Sequence, residues 1–192
     1  MNIRSLAAAL LLVAVAAPTA RAASLALVPA DPGVAPGSTF TIDLVLDASD
    51  APGLHPGLYG GAIVIDFDST LLGYDGFTLA SGLTFFASPV TATNGTLQTV
   101  SFGFENAPDT GVVGTFRFIA NGPAGSVATI GLVDADDFSG SFANYLDNNR
   151  RFYPVFTGAD VSIVPLPAGV WLLGSALGAL VARRRFARVA AA

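Results

Sequence analysis

The chain has 192 residues with no cysteine, one histidine, one tryptophan and 21 glycines, and only 12% of its residues are charged. Without cysteine there is no disulfide framework, thiolate metal site, cysteine nucleophile or lipidated N-terminal cysteine. All nine basic residues are arginines and six of them lie in the two end segments; the stretch between holds three arginines against 14 acidic residues, and this net negative charge excludes nucleic-acid binding, which needs cations to neutralise phosphates.

The chain opens Met1-Asn2-Ile3-Arg4, continues apolar over 6–17, and then reads Pro18-Thr19-Ala20-Arg21-Ala22. A charged n-region, a short apolar h-region and an A-x-A site make 1–22 a signal peptide, with cleavage expected after Ala22. A single arginine instead of a twin pair points to the general secretory route.

Residues 23–163 alternate with period two. In Thr39-Phe40-Thr41-Ile42-Asp43-Leu44-Val45-Leu46-Asp47 the even positions are apolar. Ile63, Ile65 and Phe67 alternate with Val64, Asp66 and Asp68, and Val100, Phe102 and Phe104 with Ser101, Gly103 and Glu105. Phe116 and Phe118 alternate with Thr115 and Arg117, and Val161 and Ile163 with Asp160 and Ser162. Turn signals separate them: Asp31-Pro32-Gly33, Ala51-Pro52-Gly53, Asn94-Gly95 and Asn121-Gly122-Pro123. The pattern predicts one all-β domain, an antiparallel sandwich with one face of each strand buried.

Few residues in this domain carry chemistry. His55 sits in a Pro- and Gly-rich loop with no nucleophile motif around it, and reads as solvated. Asp134, Asp136 and Asp137, followed by Asp147, form the densest acidic stretch, a candidate for a weak structural Ca²⁺. Phe138 and Tyr145 occupy positions where an EF-hand loop needs oxygen ligands, so a solvated turn accounts for the acids more simply. Tyr145 and Tyr153 flank a polar loop with Asn148, Asn149 and Arg150; planar, amide and guanidinium groups together make it the candidate ligand surface. Glu105 is the one glutamate, and the aspartates mostly fall at outward strand positions or turns, which leaves little for the paired carboxylates of a glycosidase.

The C-terminus reads Val164-Pro165-Leu166-Pro167-Ala168, followed by a run uninterrupted by charge to Ala182 and then Arg183-Arg184-Arg185-Phe186-Ala187-Arg188. As a helix, 166–182 would cover about 25 Å, at the lower edge of a bilayer span. Trp171 suits one interface and the arginines the other, holding 183–192 in the cytoplasm and 23–165 outside. Gly174 and Gly178 fit the spacing for close helix packing. Two prolines two residues apart keep the strip before the span extended and unable to join a sheet.

The tail 164–192 resembles the VPLPA variant of PEP-CTERM sorting signals, with all five motif positions, Val164 to Ala168, matching. That resemblance implies a Gram-negative bacterium making extracellular polysaccharide, and an exosortase, a membrane-embedded protease, that cuts near the motif and passes the ectodomain to the surface or matrix. The order of strands carries a second resemblance. Pro36-Gly37-Ser38-Thr39-Phe40 opening a strand, Leu58-Tyr59-Gly60-Gly61-Ala62-Ile63-Val64-Ile65-Asp66-Phe67-Asp68 with Leu71-Leu72, and the segments 114–120 and 125–132 are similar to the cohesin-like jelly roll, the last two to its paired late strands. Phe67 stands where that family usually has tyrosine, and no dockerin-contact residues can be matched.

These readings predict a non-enzymatic exported protein of the surface or matrix, acting in adhesion or matrix structure. It would be anchored in the inner membrane before processing and partnered by exosortase, with exopolysaccharide or a protein as its ligand. A polysaccharide-binding module using the Tyr145–Tyr153 region is the alternative, and a glycoside hydrolase the third.

Overall fold

The computed structural model describes residues 23–49, 58–136 and 140–165. The predicted signal peptide, His55, Asp137, Leu166, Pro167, Ala168, the predicted membrane span and Arg183, Arg184 and Arg185 lie outside the described residues. Within them the chain forms strands and no helix. In chain order the first seven are β1 (Ser24–Pro29), β2 (Gly33–Val34), β3 (Thr39–Asp47), β4 (Tyr59–Asp68), β5 (Leu72–Leu79), β6 (Thr84–Asn94) and β7 (Leu97–Ala107). They are followed by β8 (Thr110–Ala120), β9 (Val127–Asp134), β10 (Ala143–Asn144), β11 (Arg150–Arg151), β12 (Val155–Thr157) and β13 (Ala159–Ile163).

The strands make two sheets. One has five strands in the order β12-β1-β3-β8-β5. The other has eight and is built around β4, which pairs with β7 along one edge and with β10 and then β9 along the other; β6 adds outside β7, and β13 and β2 outside β9. Alternation puts one side of each central strand into the core: Phe40, Ile42, Leu44 and Leu46 of β3 are buried while Thr41 and Asp43 are half-exposed. Ile63, Ile65 and Phe67 pair in register with Phe102, Val100 and Gln98 of β7, the first two pairs closing the inner face.

Aromatic rings join the sheets. Phe67 meets Phe118 edge-on at 5.1 Å, and Phe77 packs against Phe102 at 4.3 Å and Phe116 at 4.5 Å. At the far end Phe142 bridges Phe104 and Phe152, and Phe152 meets Tyr59 at 5.3 Å. Each fully buried ring contributes roughly 1.5–3 kcal/mol, and a well-placed pair about 0.5–1.5 kcal/mol more.

Two elements depart from the sequence reading. The segments 114–120 and 125–132, expected as paired late strands, fall in opposite sheets: β8 pairs with β3 and β5, β9 with β4 and β13. Their link is an arch across the sandwich, not a hairpin. The amides of Asn121 and Gly122 both donate to the Leu71 carbonyl, at 2.8 and 2.9 Å, and a Cβ on Gly122 would press on Ile163 and Leu71. The second is β6, a sheet-edge strand exposed along nearly its whole length, which has no buried face to impose alternation. Pro89 and two register shifts, at Phe85/Ala87 and Ala87/Val90, interrupt its ladder, a common way of blunting an open edge. The Asn94-Gly95 signal does close a hairpin, between β6 and β7, with Gly95 at φ 63.

Candidate binding surface

The polar loop singled out in the sequence is the tip of the β10–β11 hairpin, docked where Ala143 and Asn144 pair with Gly60 and Tyr59. Asn144 is fully buried, and its side-chain oxygen accepts the Leu146 amide at 3.0 Å. The Arg150 amide donates to the Asp147 carbonyl at 2.8 Å, closing a turn whose central residues, Asn148 and Asn149, have φ of 49° and 56°. Positive φ at both positions is the type I′ hairpin geometry, which asparagine tolerates better than most residues, so the two asparagines shape the backbone. Arg150 lies 3.7 Å from the Asp147 carboxylate. Tyr153 is exposed, with its ring against Gly140, where φ is 67°.

Tyr145 turns the other way. Its phenol rests over Gly60 on the outer face of the eight-stranded sheet; a Cβ on Gly60 would sit 2.7 Å from the Tyr145 hydroxyl. Burial raises the Tyr145 pKa above the usual value, and the Glu105 charge adds to the shift. A second ring lies on the same face: Phe86, the residue squeezed out at the first β6 bulge, covers Gly103 so closely that a Cβ there would collide with it. Gly103 pairs with Ala62, two residues along β4 from Gly60. The two glycines are therefore diagonal neighbours, about 7–8 Å apart.

Beside the rings, the Asn106 amide donates to the Thr84 hydroxyl at 3.0 Å, which donates to Glu105 Oε1 at 2.9 Å. Sequence reasoning found Tyr145, weighed Glu105 only as the one glutamate, and missed Thr84 and Phe86, because both lie on β6, which shows no period. The available signal was glycine inside two strands that otherwise pack large residues, which marks a close approach from outside.

Within the acidic stretch Asp134 takes a structural role. The Asp134 carboxylate accepts the amides of Asp136 at 2.9 Å and Ser141 at 3.0 Å, and the Ser141 hydroxyl bonds Ala62. Among the described residues no three His, Cys, Asp or Glu side chains group closely enough to hold a metal ion. On the five-stranded sheet, the bulge at Tyr74/Gly76 sets Asp75 beside Arg117 at 2.6 Å, at the edge of an open cleft of about 400 Å³ lined also by Thr41 and Thr115. Of the sorting motif, Val164 donates its amide to the Val34 carbonyl at 2.8 Å and Pro165 is exposed.

The fold is a cohesin-like all-β sandwich. The seventh ScaB type I cohesin of Pseudobacteroides cellulosolvens superposes with a TM-score of 0.53 at 17% identity, over 75% of this chain and 94% of that one. A type II cohesin domain from the cellulosome of Acetivibrio cellulolyticus gives 0.52 at 13% identity, over 73% and 95%. CaCohA2 from Clostridium acetobutylicum gives 0.52 at 14% identity, over 73% and 91%, and has also been crystallised in complex with a variant of CaDoc0917. At these identities the likeness is one of fold. No protein-family model and no curated protein matches the chain.

Proposed function

We propose that this chain is a non-enzymatic, exported protein of the bacterial surface or extracellular matrix. Its sandwich works as a binding and scaffold module, and its tail is an exosortase substrate. The cohesin-like fold supports the first part, since CaCohA2, with the same architecture, forms a complex with another protein. The signal peptide would deliver residues 23–165 across the inner membrane, with the tail as a temporary anchor. Processing at the PEP-CTERM-like motif would then pass the sandwich to the surface of a Gram-negative cell.

The observation that carries the sorting reading is where the sheet stops. Among the described residues the last ladder contact is the Val164 amide on Val34, and Pro165 has no N–H with which to extend it. Val164 and Pro165, the two described residues of the motif, are both exposed, which supports access of a membrane-embedded active site to its start. The test is the intact mass of the mature protein from cells with and without exosortase. The expected wild-type species has lost residues 1–22 and the arginine tail, and the exosortase-free species keeps that tail. A wild-type species still carrying Arg183, Arg184 and Arg185 overturns the reading.

A further inference from the structure

We propose that Phe86, Tyr145 and Glu105 form a binding site for a neutral polysaccharide on the outer face of the eight-stranded sheet. Gly60 and Gly103 lack the side chains that would hold the rings off, so both rings approach the sheet backbone closely while staying partly open to solvent. Phe86 remains 51% exposed and Tyr145 37%. The apolar C–H face of a pyranose stacks on such a ring, drawn by its negative π-face as well as by burial. The spacing of the two glycines lets neighbouring sugars of one chain reach both rings.

Sugar hydroxyls need directional partners as well, and these stand beside the rings. Thr84 occupies Glu105 Oε1 and Asn106 holds Thr84, which fixes the carboxylate in place. Among the described residues, Glu105 Oε2, the Asn106 side-chain carbonyl and the Tyr145 hydroxyl make no other hydrogen bond. A few fixed polar groups around apolar surface are what orient a small ligand. The same carboxylate argues against a protein occupant, because an apolar interface would strip its water without replacing the hydrogen bonds. The surplus of acids over arginines on this domain argues against acidic polysaccharides.

The proposal rests on the reading of the sandwich as a binding module, but not on its sorting. Affinity electrophoresis of the full chain in non-ionic detergent, through gels holding hydroxyethyl cellulose, galactomannan or alginate, tests it. The neutral polymers should retard the wild type and alginate should not. Phe86→Ala and Tyr145→Ala should each weaken retardation by about tenfold or more, the order carried by one aromatic stacking contact. Tyr145→Phe keeps the ring and should retain most of the binding, so an alanine variant that fails to fold does not decide the matter. Retardation by neither neutral polymer, or by alginate alone, overturns the proposal, as does undiminished binding in a folded Phe86→Ala. So does a protein ligand lost in Phe86→Ala when no glycan binds. A correctly processed protein that ignores both neutral polymers refutes the glycan site alone; a glycan-binding chain that exosortase-bearing cells leave with its arginine tail refutes only the sorting.

Discussion

Gly103 and Gly114 each make room for a phenylalanine ring, one outside the sandwich and one within it, and alanine at the two positions should have opposite consequences. At Gly103 the atoms nearest the added methyl all belong to the Phe86 ring, which is 51% exposed and lies on a sheet edge. Swinging it into solvent forfeits about half of a phenylalanine's burial, roughly 1–1.5 kcal/mol. Replacing a strand glycine returns about 0.5–1 kcal/mol, so Gly103→Ala should cost less than ~1 kcal/mol. At Gly114 the methyl meets the Phe77 ring and lies 2.6 Å from the Thr78 carbonyl, backbone of the paired strand that cannot turn away. Expelling Phe77 from between Phe102 and Phe116 costs about 2 kcal/mol of burial and two ring pairs, so Gly114→Ala should cost ~3–4 kcal/mol. Thermal unfolding followed by circular dichroism separates them, since for a domain of this size 1 kcal/mol moves Tm by about 4 °C. Gly103→Ala should melt within a few degrees of the wild type and lose glycan retardation, whereas Gly114→Ala should melt more than about 10 °C lower. Equal losses from both substitutions would refute the assignment of Phe86 to a yielding surface position.

Three further outcomes follow from the same geometry. Burial holds the phenols of Tyr59, Tyr74 and Tyr145 above their ordinary pKa of 10.0. The folded chain therefore keeps protons that the unfolded chain releases: stability is full below pH 10 and is lost as pH rises through the folded values, and Tyr59→Phe should flatten that loss in an alkaline urea-unfolding series. Asp134→Ala strands the amides of Asp136 and Ser141 and should cost about 1–3 kcal/mol by thermal unfolding. Asn149→Ala forces a Cβ with no local hydrogen bonding into φ 56° and should cost about 1 kcal/mol by urea unfolding, with Asn149→Gly closer to the wild type.

Strands with one buried face were legible because burial writes its period into the sequence. The run expected as a strand over 39–47 coincides with β3, and the alternating sets in β4, β7, β8 and β13 have the expected residues inside. The edge strand β6 and the two-residue strands β10 and β11 were not legible, since neither a solvated strand nor a dipeptide carries a period. Asn148 and Asn149 were expected as ligand groups; the turn that they set was not legible, because only φ reveals it. Tyr145 was picked out with Tyr153, yet it lies over Gly60 while Tyr153 lies over Gly140.

Taken alone, the amino-acid order determined that the middle of this chain is a β-sandwich, because alternation is a local pattern that each strand carries in itself. It also supplied the expectations for both ends, through runs of apolar residues bounded by arginines. Sheet membership, the arch that sends β8 and β9 to opposite sheets, and the meeting of Phe86, Glu105 and Tyr145 were decided only by the tertiary structure. Those depend on which strand lies beside which and on glycines admitting distant rings, and contacts between residues so far apart along the chain leave no local trace in it.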